Sequence, residues 1–443
     1  MPSTTISRPL DPGEAFFFLS DHVSCMNFVV FAQRSATLDM ARLQAELNRL
    51  QQENGLLQVR IEWTQQQGLR FESTEPLTTI QLQCHTTDAE NWQSWIEGEL
   101  SAPFATGAAP LLRCLYLEID NAEATSPRSV LALTFHHSIA DGRAGTALLR
   151  ILLKRLANTP RTEADSPSLS ALPVLPAMAD VFPPAYRWNE NPEAAKALRG
   201  TLIGDYRRHG APAAIPWLAS QAAGRTPRFI RLQLPAHVTQ RLLTRARENN
   251  TTLHGLLCAA QLIAQWQQQT DAAPTAYFLS CPVDMRVFLE PAQPVRPTGL
   301  YVSLISNTFQ ISAETDVWGL ARSIMTQTRL QLARGEGHLL YHLYGLTGAP
   351  VLPEYFESFK TKALASLPNT MVSNIGAVTA VVDDPATESI SFALCPMPYQ
   401  TLFTAASSYN NTLILNIGFD AERLAPSLAQ TLVQAMQNVM LAA

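Results

Sequence analysis

Two adjacent histidines end an apolar segment of the chain, in the sequence TFHHSIADGRAG between Thr134 and Gly145. Adjacent residues of a strand point to opposite faces, so His136 and His137 cannot share one role. A neutral imidazole can act as a general base near neutral pH. The pattern also fits a structural histidine pair followed by Asp141 as a helix N-cap, with Gly142 leaving room for a backbone or a ligand. The local residues leave both alternatives open.

The elements around this loop are predicted to be a strand before it and a helix directly after it. Short β-rich apolar runs predict further strands, and apolar residues every three or four positions predict helices. Asp39 is a predicted helix N-cap, as is Thr251 or Thr252 farther along. Strands and helices mix in both halves, so we expect an α/β or α+β class with two similar layered lobes. The predicted strands are MNFVVFAQ, PLLRCLYLEID, SVLALTFHH, RFIRLQLP, AYFLSCPVDMR and TLILNIGFD.

The boundary between the lobes is expected in residues 158–185, which are rich in Pro, Ser and Ala and have no periodicity. The chain of 443 residues also exceeds the usual size of a single core. We therefore expect an N-terminal lobe over residues 1–157, a crossover linker over 158–185, and a C-terminal lobe over 186–443.

The overall composition argues against several classes of protein. A net charge of −5 provides no basic footprint, so no nucleic-acid partner is expected. No apolar stretch approaches the roughly 18 residues of a membrane span, and the N-terminus lacks the charge pattern of a signal peptide. The six cysteines are scattered without a CxxC pair and are expected to be reduced and structural. These features favour a cytoplasmic globular protein.

Other histidines and serines carry weaker signals. His338 and His342 are four residues apart, but no third ligand accompanies them, so we expect two partly exposed helix histidines and no metal site. Ser138 follows the histidine pair without the G-x-S-x-G pattern of a hydrolase nucleophile. His254 lies in an apolar helix, where a core histidine is expected rather than a catalytic one.

The string HHxxxDG resembles the signature of an acyltransferase superfamily. This superfamily includes chloramphenicol acetyltransferase, the condensation domains of nonribosomal peptide synthetases, the plant BAHD enzymes and the polyketide-associated acyltransferases. Further motifs follow in the same order as in that superfamily. CPVDMRVFLEP resembles its D-x-R segment, and VSNIGAV resembles the S-N-x-G segment of the alcohol-acyltransferase and polyketide-associated branches. TTLHGLLCAAQLIA resembles a T-x-N-D-x-L-x-A-A helix, except that His254-Gly255 replaces the usual polar pair.

The resemblance implies a fold and roles for several residues. The fold would be the two-lobed CoA-dependent acyltransferase fold, with an active-site channel between the lobes. His137 would be the general base and His136 would serve packing. Asp141 would be structural and pair with Arg286, and removing either partner would strand a buried charge.

The resemblance also implies a reaction. An acyl group would pass from a thioester, either acyl-CoA or a phosphopantetheine thioester on an acyl carrier protein, to a small-molecule hydroxyl. The oxyanion would be stabilised by Ser373, Asn374 or backbone N–H groups near Gly142, and the sequence does not choose among them. No permanent cofactor or metal is expected, and the rate should rise with pH through an imidazole pKa of about 6–7.

Two alternatives remain at this point. One is a stand-alone condensation enzyme that forms an amide from an amine acceptor and a carrier-bound donor. The other is an inactive member that only binds a carrier protein or a ligand. Intact His137, Asp141, Gly142 and Arg286 argue against the second alternative.

Overall fold

The computed structural model describes residues 6–24, 26–120, 128–157, 172–188, 190–213, 226–269, 273–347, 349–381 and 384–443. Its helices are α1 Pro12–Val23, α2 Met40–Glu53, α3 Trp92–Ser101, α4 Gly142–Ala157, α5 Pro192–His209, α6 Ala236–Glu248, α7 Leu253–Trp266, α8 Val317–Ala333, α9 Glu336–Leu343, α10 Tyr355–Leu364 and α11 Pro426–Ala442. Its strands are β1 Ser7–Pro9, β2 Phe28–Arg34, β3 Val59–Thr64, β4 Gly68–Ser73, β5 Gln81–Thr87, β6 Leu112–Ile119, β7 Ser129–Phe135, β8 Pro227–Leu234, β9 Thr275–Asp284, β10 Val302–Ile311, β11 Asn369–Val378, β12 Thr387–Leu394, β13 Gln400–Tyr409 and β14 Thr412–Asp420.

The strands form two large mixed sheets and one small sheet, which confirms the predicted mixed α/β class with two lobes. The first lobe has a sheet in the order β12-β2-β7-β6-β5, and the second has a sheet in the order β10-β9-β11-β13-β14-β8. A three-stranded sheet, β1-β4-β3, completes the set. β12 lies within the segment 186–443 predicted to form the C-terminal lobe, yet it pairs with β2 of the first lobe. The later part of the chain thus completes the sheet of the earlier part.

Helix caps predicted from the sequence are present. The Asp39 carboxylate accepts a hydrogen bond from the Arg42 amide at 2.7 Å and begins α2. The Thr252 hydroxyl oxygen accepts a hydrogen bond from the Gly255 amide at 3.1 Å and begins α7. Each cap satisfies an amide that the first helical turn leaves without a partner.

The predicted linker is only partly described. Residues 158–171 lie outside the described residues, as does Cys25. From Leu172 onward the chain has two short 3₁₀ turns, Met178–Val181 and Pro184–Tyr186. None of the described helices is long and apolar enough to cross a membrane.

Candidate active site

The histidine loop connects β7 to α4. β7 ends at Phe135, so both histidines lie just beyond the strand. The predicted strand SVLALTFHH had included them. α4 begins at Gly142, directly after the loop. The helix starts there because Oδ1 of Asp141 accepts hydrogen bonds from the amides of Arg143 and Ala144, at 3.1 and 3.0 Å. Asp141 is therefore an N-cap.

The second carboxylate oxygen of Asp141 faces the other lobe. Oδ2 accepts hydrogen bonds from Arg286 Nη2 at 2.8 Å and from the Tyr301 amide at 2.9 Å. Both side chains of the ion pair are buried, with 3% of Arg286 and 6% of Asp141 exposed. Arg286 Nη1 also donates to Asp284 at 2.9 Å. One carboxylate thus caps α4 and braces the loop against the second lobe, so the two alternatives for Asp141 hold together.

His137 lies on an aromatic surface at the wall of a cavity. Its ring stacks on Phe17 with centroids 3.9 Å apart and an angle of 13° between the planes. The Phe28 ring centroid lies 4.7 Å from that of His137, and the two rings are tilted relative to each other. Burial lowers the pKa of His137 to about 4, although its own backbone, the Asp141 charge and the Ala140 backbone act in the opposite direction. The imidazole is therefore neutral at neutral pH.

His136 occupies a different environment. Its ring lies between Phe18 and Phe104, each 5.8 Å away, and the Ser138 amide donates to its Nδ1 at 3.2 Å. It does not line the cavity that His137 lines. Burial lowers the pKa of His136 to about 3. The two imidazoles have different surroundings, although both lie just beyond the strand on which the opposite-face argument relied.

The cavity beside His137 lies between the lobes. β11 pairs with β9 only over Asn369–Met371, and beyond that point the two strands separate. The space is about 1000 Å³, part of it open to solvent. It is mostly apolar, as small-molecule sites usually are. Residues of both lobes line it, among them Phe16, Phe17, Phe28, His137, Gly142, Val302, Leu304, Met371, Ser373, Asn374, Ile375, Phe392, Tyr399 and Phe403.

Ser373 and Asn374 reach the cavity from β11, opposite the loop. The pairing of β11 with β13 shifts register between Asn374 and Ala377. There the Gly376 amide, in a left-handed residue with φ of +79°, donates to Asn374 Oδ1 at 2.8 Å. This contact leaves the Nδ2 amide of Asn374 without an acceptor in the described part of the chain. A free donor in a cavity wall is suited to a developing oxyanion.

Sequence reasoning missed the contribution of α1. Phe17 stacks on His137 and Phe18 lies beside His136, so consecutive residues of one helix support the two histidines. The Ser138 hydroxyl donates to the Glu14 carbonyl at 2.8 Å, which ties the loop to the same helix. A capping box at Asp11 and Glu14 begins α1. The D-P-G-E sequence is the signal that could have predicted this helix.

The other candidate histidines lie apart from the cavity. His338 is 4% exposed, so its predicted partial exposure is wrong; its Nε2 lies 2.9 Å from the Phe288 carbonyl. His342 Nδ1 lies 2.9 Å from the Leu346 carbonyl. Each of these two rings thus has the backbone carbonyl of another residue as a hydrogen-bond partner.

The fold is the two-lobed fold of condensation-domain and acyltransferase structures. The solved structure of polyketide synthase associated protein 5 from Mycobacterium tuberculosis is similar over 99% of this chain and 98% of that chain, with a TM-score of 0.66 and 19% identity. A trichothecene 15-O-acetyltransferase from Fusarium sporotrichioides is similar over 100% of this chain and 96% of that chain, with a TM-score of 0.71 and 14% identity.

Sequence comparison then points to a more particular group. Residues 223–387 match the family model described as phthiocerol/phthiodiolone dimycocerosyl transferase C-terminus. A phthiocerol/phthiodiolone dimycocerosyl transferase of Mycobacterium leprae (strain TN) is 28% identical over 208 residues, which are 46% of this chain and 48% of the relative. The match thus spans about half the length of the curated relative. These findings confirm the predicted resemblance to the acyltransferase superfamily and to its polyketide-associated branch.

Proposed function

We propose that the protein is an acyltransferase that moves an acyl group from a thioester to a hydroxyl and forms an ester. The observation that carries this proposal is the position of His137, a neutral imidazole in the wall of an apolar cavity between two lobes. A general base must be unprotonated and within reach of the acceptor. Because burial keeps this imidazole neutral, it is ready to accept a proton at neutral pH.

The proposed reaction is a direct attack within a ternary complex. The acceptor hydroxyl attacks the thioester carbonyl carbon as His137 takes the hydroxyl proton. The tetrahedral intermediate then collapses, the C–S bond breaks, and the imidazolium returns the proton to the departing thiolate. No acyl-enzyme is required, since the donor and the acceptor are held together and positioning lowers the barrier.

Asn374 is the proposed oxyanion donor among the candidates that the sequence left open. Its Oδ1 is held by the Gly376 amide, which fixes the side-chain orientation and leaves Nδ2 without an acceptor among the described residues, and Asn374 lines the cavity beside His137. The N-terminus of α4 at Gly142 lies in the same cavity and carries partial positive charge. Preorganised donors of this kind act without reorganisation as charge develops.

The charges near the cavity favour a hydroxyl over an amine acceptor. A free amine is mostly an ammonium ion at neutral pH and must lose one proton before it can attack. The carboxylates of Asp141 and Asp284, which also line the cavity, are both paired with Arg286. Neither is available to receive an ammonium group.

The donor and acceptor can be identified by mass spectrometry. Acyl-CoA and acyl-carrier-protein thioesters of graded chain length would be offered with panels of alcohols and amines. We expect ester products with the native protein and a large loss with His137→Ala. Amide products alone would support the condensation alternative. Tight carrier binding without turnover on any acceptor would overturn the proposal and favour an inactive binding member.

A further inference from the structure

A second group of chemically reactive side chains lies in the second lobe. His254 and Cys258 are one helical turn apart on α7 and therefore share a face. Cys281 approaches them from β9. The three potential ligand atoms lie within 4.8 Å of one another, and they are the only such group of three found among the described residues.

Two of the three spacings in this group match those of a tetrahedral zinc site, and the third pair of atoms lies within 4.8 Å. The Cys258 and Cys281 sulfurs are 3.7 Å apart, and Nε2 of His254 is 3.6 Å from the Cys258 sulfur. Zinc bonds of about 2.3 Å to sulfur and about 2.0–2.1 Å to nitrogen, at tetrahedral angles, place two sulfurs about 3.8 Å apart and sulfur and nitrogen about 3.6 Å apart. The observed distances agree with both values.

Within the described part of the chain, His254 has no polar partner other than the two thiols. Its ring nitrogens contact the thiols of Cys258 and Cys281. The thiols are weak hydrogen-bonding groups. A thiolate is the form in which cysteine binds metals.

A solvent-open cavity gives an ion access to this group of side chains. His254 lines a solvent-open cavity of about 1100 Å³, together with Thr252, Asn374 and Asn410. The two cysteines behind it are buried. Gly255 permits the tight packing here, because a side chain at that position would lie 2.9 Å from the Ala321 carbonyl of α8. His254 and Gly255 are the two positions at which the helix departs from the pattern it resembles.

We propose that His254, Cys258 and Cys281 form a Zn²⁺ site, with water or a cavity ligand at the fourth position. Three neutral or anionic N and S ligands are the set that zinc prefers. The ion would cross-link α7 to β9, the strand that ends at Asp284 beside Arg286. None of these three residues lines the cavity beside His137. The proposal revises the expectations of no metal and of structural roles for them.

The first measurement is the zinc content of the full chain after loading with Zn²⁺ and removal of excess ion. We expect about one zinc per chain and loss of affinity by about 100-fold or more in Cys258→Ala, Cys281→Ala and His254→Ala. Cys114→Ala, a buried cysteine of the first lobe, is the matched control and should bind normally. Equal binding by the native protein and the three variants, or none by the native protein, would overturn the proposal.

Cobalt and thermal unfolding give independent readouts. Co²⁺ bound to two thiolates should show sulfur-to-cobalt charge-transfer absorption in the near ultraviolet. Zn²⁺ should raise the Tm of the native protein but not that of His254→Ala, which removes the most accessible ligand and decides the question if the cysteine variants do not fold. A Cys258–Cys281 disulfide in freshly prepared protein, with no zinc uptake after reduction, would contradict the site.

Discussion

His137 lies face to face with Phe17, with ring centroids 3.9 Å apart, although the two residues belong to distant parts of the chain. The contact buries one face of the imidazole and fixes the plane in which its nitrogens point. A base that is already oriented loses little freedom when the acceptor binds. The same contact contributes to the desolvation that keeps the ring neutral.

Replacement of Phe17 should therefore affect turnover more than folding. Phe17→Leu keeps an apolar group but removes the flat surface, so we expect kcat to fall by roughly 10-fold with KM nearly unchanged. Phe18→Leu is the control, because Phe18 belongs to the same helix and lies beside His136 instead. Equal effects of the two substitutions on kcat, measured at matched stability, would show that the stack does not position the base.

His137→Ala should fold and lose turnover by about 10²–10⁴-fold, the usual contribution of a positioned general base. His136→Ala should mainly lower the free energy of unfolding, because His136 packs away from the cavity. Steady-state kinetics on samples with matched melting curves compare the two. If His136→Ala were inactive and His137→Ala retained near-native turnover, the assignment of the base would be wrong.

The brace between Asp141 and Arg286 should show strong coupling. Arg286→Ala leaves the buried Asp141 charge unpaired and should cost about 3–5 kcal/mol of stability. Asp141→Ala leaves Arg286 with Asp284 as its remaining partner. It also removes the cap of α4, so it should be destabilising as well. The double variant should cost less than the sum of the single effects in chemical denaturation. Strictly additive effects would mean that the ion pair contributes nothing.

The pH dependence should differ from the value of about 6–7 expected from an ordinary histidine. Burial lowers the pKa of His137 to about 4, so the neutral base is fully populated above about pH 6 and kcat/KM should be flat there. Activity should fall only as the pH approaches 4. A measured rise of kcat/KM between about pH 6 and 7.5 that disappears in His137→Gln would contradict this.

The same shift predicts a window for stability. His136 and His137 have folded pKa values of about 3 and 4, below the unfolded value of about 6.5. Between these values the unfolded chain binds more protons, so the free energy of unfolding should fall as the pH drops below about 6.5. Urea denaturation at several pH values measures this slope. His136→Ala should show a shallower slope than the native protein.

Asn374→Ala should lower kcat by about 10²–10³-fold if its amide stabilises the oxyanion. Asn374→Asp is a sharper test, because it retains the acceptor for the Gly376 amide but replaces the donor with a charge of the wrong sign. Ser373→Ala should have a smaller effect if Asn374 is the donor. A near-native kcat for both Asn374 variants would transfer this role to the Gly142 amide.

The sequence by itself determined the local features of the site. The apolar run before His136 and the capping residues Asp39 and Thr252 are set by interactions within a few residues, so their patterns can be read directly. The ordered motifs also showed a resemblance to one superfamily. That resemblance implied that Asp141 pairs with Arg286. Local chemistry alone left Asp141 as either a cap or a brace.

Only the tertiary structure decided what surrounds these residues. The exchange of β12 into the first sheet, the separation of β9 from β11 that opens the cavity, and the stack of Phe17 on His137 depend on contacts between segments far apart in the chain. No short-range pattern encodes such contacts. Burial is likewise a property of the folded chain, which is why the low pKa of His137 and the meeting of Cys258 with Cys281 could not be predicted from residue types and spacing.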